Sequence, residues 1–226
     1  MNAVLTENAP SVRKALMIGM MAFSLAACDN QSSANGEAGD GGATQISAGE
    51  GFIPTPNGGY AMGDPDAPVK IIEFASFTCG ACANFHETVF PQIKEKYIDT
   101  GKVYFEMRSY IRNSADMYAT IAINCAAPQN FEPMADLYFA SQRTWLTSSD
   151  PNAYVASMAK RAGIPSARYE ACSNDSGQKT SALTVTKKAQ EQYQVRATPT
   201  VVVNGDVVNG TGGWWAAVDK AIQEDL

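Results

Sequence analysis

The chain has 226 residues, of which 45% are apolar, so it is long enough for one well-packed domain with an inserted subdomain. Its formal charge of −6 is unevenly distributed, with +1 over residues 1–28, −4 over residues 29–50 and −3 over the remainder. Because the larger part is close to neutral and has no basic stripe, the composition argues against nucleic-acid binding.

The N-terminal segment, residues 1–27, is typical of an export signal peptide. Arg13 and Lys14 precede an apolar run that is too short to cross a bilayer as a helix. The run ends in Leu25-Ala26-Ala27-Cys28, which resembles the lipobox of bacterial lipoproteins. That resemblance implies cleavage before Cys28 and lipid modification of its thiol. An ordinary secretory signal with an incidental cysteine is the alternative.

Residues 28–59 are predicted to be the lipidated cysteine and a flexible linker. The stretch Asp29–Glu50 contains five glycines and four acids, with no basic and no aromatic residue. Such a segment buries too little apolar surface to offset the entropy lost on ordering it. The folded domain is therefore expected to begin near Tyr60 and to extend over residues 60–226.

A strand, a tight turn and a helix are predicted next. Val69–Phe74 is an apolar run of strand type, and Gly80 allows the turn after it. Phe85, Val89 and Ile93 then recur every four residues, which is the spacing of one helix face.

Two cysteines lie at the start of this helix. Cys79 is expected at its exposed N-terminus, where free backbone N–H groups and the helix dipole stabilise a thiolate. Cys82 lies one turn further on, shielded and close enough to form a disulfide with Cys79. The pattern predicts a redox-active pair, in which Cys79 is the attacking sulfur and Cys82 the resolving sulfur.

A metal site is the alternative interpretation of this pair. Zinc requires four ligands, and the other candidates are isolated cysteines and the single histidine, His86, so zinc is disfavoured. Copper(I) accepts two thiolates and stays open as an alternative. We expect no bound metal, and we expect His86 to face solvent or to pack between helices.

The remaining elements are predicted from local signals. Pro91 is expected to bend or break the first helix, and Lys102–Arg108 is a second strand candidate. The apolar spacing is helical from about residue 114 to 192. After it, Asn204-Gly205 within a β-branched stretch predicts a hairpin, and a final helix is expected over residues 214–222.

Cys125 and Cys172 both lie in the helical stretch. In an exported protein few other partners are open to them, so we predict a structural disulfide between them. Two free buried thiols are the alternative.

Two segments, Ile72–Cys82 and Ala197-Thr198-Pro199-Thr200, resemble the thioredoxin superfamily and, within it, the DsbA-type thiol–disulfide oxidoreductases. The resemblance extends in order over about residues 60–226. It implies an α/β fold of the thioredoxin type, with a helical subdomain inserted at about residues 114–192.

The resemblance also implies roles for three residues outside the cysteine pair. The bond between Thr198 and Pro199 would be cis and would face the cysteines, with the backbone of Thr198 binding the substrate peptide. An ordinary proline at a strand entry is the alternative. Glu73 would be a buried acid with a raised pKa that exchanges a proton with Cys82, and an exposed strand glutamate is the alternative.

The implied function is the introduction or exchange of disulfides in exported proteins that carry free thiols. The cysteine pair would need no cofactor, and a membrane quinone-linked thiol oxidase would recharge it. The protein would face the periplasm of a bacterium on a lipid anchor at Cys28. The alternatives are a periplasmic disulfide reductase or isomerase, and a non-catalytic copper(I) carrier.

Overall fold

The computed structural model describes residues 51–226, and the predicted signal peptide, Cys28 and most of the predicted linker lie outside them. The strands of this region are β1 Ile53–Pro54, β2 Tyr60–Met62, β3 Val69–Ala75, β4 Val103–Ser109, β5 Thr200–Val203 and β6 Asp206–Val207. The helices are α1 Gly80–Thr88, α2 Phe90–Ile93, α3 Ser114–Cys125, α4 Phe131–Ala140, α5 Gln142–Leu146, α6 Pro151–Arg161, α7 Ser166–Asn174, α8 Ser176–Tyr193 and α9 Trp214–Glu224. A π-helical turn, Lys94–Ile98, continues α2, and a 3₁₀ turn, Pro128–Asn130, precedes α4.

The strands form one mixed sheet in the order β1-β2-β4-β3-β5-β6. Strands β3 and β4 are parallel and are connected by α1 and α2, whereas all other neighbouring strands are antiparallel. Strand β3 therefore lies in the middle of the sheet, with β4 on one side and β5 on the other. Its residues are mostly buried, as expected for a central strand covered on both faces.

The folded region begins earlier than the predicted boundary near Tyr60. Strand β1 pairs with β2, and Phe52 is only 2% exposed. The ring of Phe52 lies 4.7 Å from that of Phe131 and also packs on Phe105. The linker predicted to reach residue 59 is therefore too long, because one aromatic side chain anchors its last residues in the core.

The chain between β3 and β4 breaks at the predicted place. Helix α1 ends at Thr88, and α2 begins at Phe90 with Pro91 in its first turn. Backbone N–H groups in the first turn of a helix have no acceptor within that helix. Proline has no N–H and so loses no hydrogen bond there, which favours the start of a new helix at this position. The break predicted at Pro91 is confirmed.

Helices α3 to α8 lie between β4 and β5 and span residues 114–193. This helical subdomain contacts the loop between β3 and α1 through Phe77, whose ring packs 5.6 Å from Tyr138 and 5.2 Å from Phe139 of α4. Within the subdomain, a disulfide joins Cys125, at the end of α3, to Cys172 of α7. Arg168 of α7 also donates a hydrogen bond to the carbonyl of Cys125.

The C-terminal part returns to the sheet. Asn204 and Gly205 connect β5 to β6 with φ angles of 44° and 99°, a left-handed turn that this residue pair adopts readily. Helix α9 then packs through Val218 and Ile222. Along residues 51–226, none of the helices combines the length and apolar character needed to cross a membrane.

The Cys125–Cys172 disulfide generates a prediction about stability. It closes a loop with a sequence separation of 47 residues. On the chain-entropy account, such a loop stabilises the folded state by about 4 kcal/mol. Changing both cysteines to Ser should lower the free energy of unfolding by an amount of that order, as measured by urea denaturation, and should leave the reactivity of Cys79 unchanged. A double variant that keeps its stability but loses reactivity at Cys79 would contradict a structural role.

Candidate active site

Cys79 lies where β3 has ended and α1 begins. It is the N-cap residue of α1, and its carbonyl accepts a hydrogen bond from the N–H of Ala83 at 3.0 Å. The backbone N–H groups of Ala81 and Cys82 point toward its sulfur. Cys79 is 8% exposed, so it is less open than the exposed helix start expected from the sequence.

Cys82 lies one turn further along α1 and is 0% exposed. It faces inward together with Phe85 and Val89, because residues three and four apart share a helix face. The N–H of Ser76 donates to its sulfur at 3.5 Å, and its own thiol donates a hydrogen bond to the sulfur of Cys79. The two sulfurs are therefore in contact, with Cys82 beneath Cys79.

The segment that lies across Cys79 is 119 residues away in sequence. The Thr198–Pro199 bond is cis and directly precedes β5. Because β5 runs antiparallel to β3, with Phe74 opposite Thr200, residues just before β5 lie beside residues just after β3. In this arrangement the thiol of Cys79 donates a hydrogen bond to the carbonyl of Thr198 at 3.2 Å.

This environment separates the acidities of the two thiols. The pKa of Cys79 falls from 9.0 to about 5. The hydrogen bond from Cys82 is the largest cause; burial opposes it, and the N–H groups of Cys82 and Ala81 lower the pKa further. The pKa of Cys82 is raised far above its ordinary value, chiefly by burial and then by its bond to Cys79 and the charge of Glu73.

Glu73 lies on the central strand β3, between Met107 of β4 and Val201 of β5. It is 0% exposed, and within residues 51–226 neither of its carboxyl oxygens has a hydrogen-bond partner. Burial, reinforced by the charge of Cys79, raises the pKa of Glu73 from 4.5 to about 8. Its carboxyl group is thus mostly protonated and uncharged at neutral pH.

Asp116 is a residue near the site that the sequence analysis missed. It lies in the first turn of α3 and accepts hydrogen bonds from the loop between β3 and α1. Burial raises the pKa of Asp116, although its hydrogen bonds oppose that shift. The sequence holds one weak signal, since Asn113 and Asp116 have the spacing of a helix N-cap and an acid in the first turn.

The chain matches the profile of the family described as Thioredoxin over residues 55–224. The chain belongs to the thioredoxin family. Among curated relatives, a protein of Bacillus anthracis named as a disulfide bond formation protein D is 31% identical over 176 residues, covering 74% of this chain and 77% of that protein. A protein of Rickettsia bellii named as a protein-disulfide oxidoreductase is 29% identical over 166 residues, covering 72% of this chain but only 64% of that protein.

Solved structures give the same result. The crystal structure of alpha-DsbA1 of Wolbachia pipientis aligns with a TM-score of 0.63 at 26% identity, covering 76% of this chain and 94% of that chain. BdbD of Bacillus subtilis aligns with a TM-score of 0.65 at 21% identity, covering 77% and 96%, and supports the fold alone. The predicted α/β thioredoxin fold and the resemblance to DsbA-type proteins are confirmed.

Two of the other predicted site residues are bonded to each other and not to this thioredoxin-type cysteine pair. Cys125 and Cys172 are joined to each other in the helical subdomain, and Cys28 lies outside the described residues. His86 is buried on α1, where its ring stacks on Phe90 and its Nε2 pairs with Asp136 at 2.9 Å. This position agrees with the expectation that His86 packs between helices.

Few groups near the pair are suited to a metal. Within residues 51–226, no cluster of three or more His, Cys, Asp or Glu side chains is arranged to hold one. The pair itself offers one thiolate and one thiol at neutral pH, because the pKa of Cys82 is raised. This arrangement is suited to thiol–disulfide exchange, in which one sulfur must ionise easily and the other must be released as a thiol.

Glu73 and Cys79 make stability depend on pH in opposite directions. The folded pKa of Glu73, about 8, exceeds the ordinary 4.5, so its contribution to stability is complete below pH 4.5 and is lost as pH rises through 8. The folded pKa of Cys79 in the reduced protein, about 5, lies below the ordinary 9.0, so its contribution is complete above pH 9 and is lost as pH falls through 5. In the reduced protein the two slopes therefore oppose each other over the interval from pH 5 to pH 8.

In the oxidised protein only the slope of Glu73 should remain, because a disulfide does not titrate. We expect the free energy of unfolding of the oxidised wild type to fall with rising pH, relative to Glu73→Gln, by up to about 1.4 kcal/mol per pH unit. Urea unfolding at several pH values between 5 and 8 measures this difference.

The matched control is Glu87→Gln, which changes an exposed glutamate of α1. It should leave the slope of the wild type unaltered. Parallel curves for the wild type and Glu73→Gln would mean that Glu73 keeps an ordinary pKa, and its proposed proton exchange with Cys82 would then lose its basis.

Proposed function

We propose that this protein is a thiol–disulfide oxidoreductase that introduces or exchanges disulfides in exported proteins. The observation that carries the proposal is the contact between an easily ionised Cys79, at the N-terminus of α1, and a buried Cys82 that resists ionisation. The names of the Bacillus anthracis and Rickettsia bellii relatives support the same reaction class.

In the proposed first step, a substrate thiolate attacks the sulfur of Cys79 in the Cys79–Cys82 disulfide. A new sulfur–sulfur bond forms between substrate and Cys79, and the bond to Cys82 breaks. Cys82 leaves with the electron pair and needs a proton, because its pKa is raised. Glu73 is protonated at neutral pH and is proposed to supply that proton.

In the second step, another substrate thiolate attacks the substrate sulfur of this mixed disulfide. Cys79 leaves as a thiolate, which is a good leaving group because its pKa is only about 5. The substrate has then lost two electrons and the cysteine pair has gained them. We propose that the backbone of Thr198, whose carbonyl contacts the sulfur of Cys79 in the reduced pair, aligns the substrate peptide with this sulfur.

The oxidising direction is favoured over the reducing one by the acidity of Cys79. A stable thiolate stabilises the reduced pair and so makes the disulfide a better oxidant. A pKa of about 5 lies between roughly 7 for thioredoxin and roughly 3.5 for the strong oxidant DsbA. Gly80 and Ala81 bring no charged side chain that would stabilise the thiolate further. A quinone-linked thiol oxidase in the membrane is the proposed acceptor of the two electrons.

The proposed location is the periplasmic side of a bacterial membrane, with Cys28 as the lipidated N-terminus. The support comes from the lipobox-like Leu25-Ala26-Ala27-Cys28 and from the glycine-rich acidic stretch after it. Because thiol pairs remain oxidised in exported compartments, this location agrees with the proposed direction of electron flow.

A trapping experiment tests the roles of the two cysteines. In Cys82→Ser, a mixed disulfide at Cys79 has no neighbouring thiol to resolve it, so complexes with thiol-containing proteins should accumulate on non-reducing gels. In Cys79→Ser, the remaining thiol is buried and only weakly acidic, so complexes should be at least about tenfold fewer. Comparable trapping by both variants would contradict the assignment.

The redox state of the purified wild type discriminates the alternatives. An oxidised pair supports a disulfide-introducing enzyme, and a reduced pair supports a reductase or isomerase. Copper that co-purifies with the protein and is lost in both cysteine variants would instead support a copper(I) carrier.

Anchoring at Cys28 is tested separately. The wild-type protein should incorporate labelled fatty acid and sediment with membranes, whereas Cys28→Ala should do neither, because its side chain has no thiol to acylate. The trapping chemistry of Cys79 should be unaffected in any soluble Cys28→Ala protein. A mature N-terminus found at a residue other than Cys28 would overturn the anchoring proposal.

A further inference from the structure

Asp116 connects the helical subdomain to the loop that carries Cys79. Its Oδ1 accepts hydrogen bonds from the hydroxyl of Ser76 at 2.8 Å and from the N–H of Thr78 at 2.9 Å. Its Oδ2 accepts from the hydroxyl of Thr78 at 3.1 Å and from the N–H of Arg112 at 3.0 Å. Asp116 is 1% exposed, so these bonds are shielded from water.

The loop residues bound by Asp116 are themselves in contact with both cysteines. The carbonyl of Ser76 accepts a hydrogen bond from the N–H of Cys79 at 3.1 Å, and the N–H of Ser76 donates to the sulfur of Cys82 at 3.5 Å. Thr78 directly precedes Cys79 in the chain. A shift of this loop would therefore move the sulfur of Cys79 relative to the N–H groups of α1.

A carboxylate is the side chain that satisfies all four donors. Each of its oxygens accepts two hydrogen bonds, whereas an amide offers one acceptor oxygen and places an NH₂ group against at least one backbone N–H. Asn113 strengthens the connection, since its Oδ1 caps the N–H of Asp116 and its Nδ2 donates to the hydroxyl of Thr78.

We propose that Asp116 is a positioning residue for the redox pair. It fixes the Ser76–Thr78 loop against α3 and so holds Cys79 and Cys82 in the geometry that stabilises the Cys79 thiolate. The inference rests on the proposed function for its biological meaning, but its physical content concerns the thiolate alone. A residue of the helical subdomain would thereby set the chemistry of a cysteine on the thioredoxin core.

Two simpler roles predict different results. If Asp116 acted only through its negative charge, removing the charge would make Cys79 more acidic. If Asp116 served only the start of α3, its loss would lower stability without changing Cys79. Positioning predicts that Cys79 becomes less acidic, because its contacts with Cys82 and with the N–H groups of α1 become less favourable.

The test is the rate of alkylation of Cys79 by iodoacetamide as a function of pH, in the reduced full-length protein. For Asp116→Asn and Asp116→Ala, we expect the midpoint to rise by about one pH unit, which is about a tenfold smaller thiolate fraction below the midpoint. The equilibrium constant with glutathione should shift about tenfold toward the oxidised protein, equivalent to about 30 mV.

The matched control is Asp150→Ala. Asp150 is also an acid at a helix start of the same subdomain, where it caps the N–H of Ala153 at 3.0 Å, but its hydrogen bonds do not involve the cysteine loop. It should lower stability and leave both the alkylation midpoint and the glutathione equilibrium as in the wild type.

A second pair of variants covers the case in which the Asp116 variants do not fold. Ser76→Ala and Thr78→Ala remove the loop side of the same hydrogen bonds and leave the cap of α3 in place. Each should raise the midpoint in the same direction by a smaller amount. An unchanged midpoint in the folded variants, or a lower one, would overturn the proposal. Failure of the trapping experiment with normal alkylation would instead count against the proposed function.

Discussion

The antiparallel pairing of β5 with β3 is the constraint on which the candidate site depends. It aligns Phe74 with Thr200 and so brings the end of one strand beside the start of the other. Cys79 comes after the first strand and Thr198 precedes the second, which is why two residues 119 positions apart share a hydrogen bond.

Burial next to this strand pair gives the three ionisable groups their different properties. Cys82 and Glu73 lie beneath the surface, where desolvation favours their neutral forms. Cys79 lies at the helix start, where the N–H groups of Ala81 and Cys82 and the thiol of Cys82 compensate for its burial. One apolar environment thus yields a thiolate, a thiol and a carboxylic acid at neutral pH, the set that directional disulfide exchange requires.

The helical subdomain contributes to the candidate site although Cys79 and Cys82 lie outside it. Phe77 packs against α4, and Asp116 of α3 binds the hydroxyl groups of Ser76 and Thr78. The loop that carries Cys79 is therefore held by α3 and α4 of the insertion as well as by β3. Groups positioned in this way need little rearrangement during a reaction, which is the general advantage of a rigid site.

The sequence by itself determined the features that arise from local backbone geometry. The four-residue helical period identified Cys82 as the inward thiol, Pro91 marked a helix break, and Asn204-Gly205 marked a hairpin. Tertiary structure decided the rest. From the sequence alone Glu73 could have been exposed, and only the central position of β3 in the sheet shows that it is buried. Phe52 likewise anchors in the core a segment whose composition suggested a linker. Asp116 meets Thr78 across 38 residues, a contact that depends on how separate elements pack rather than on any spacing within one element.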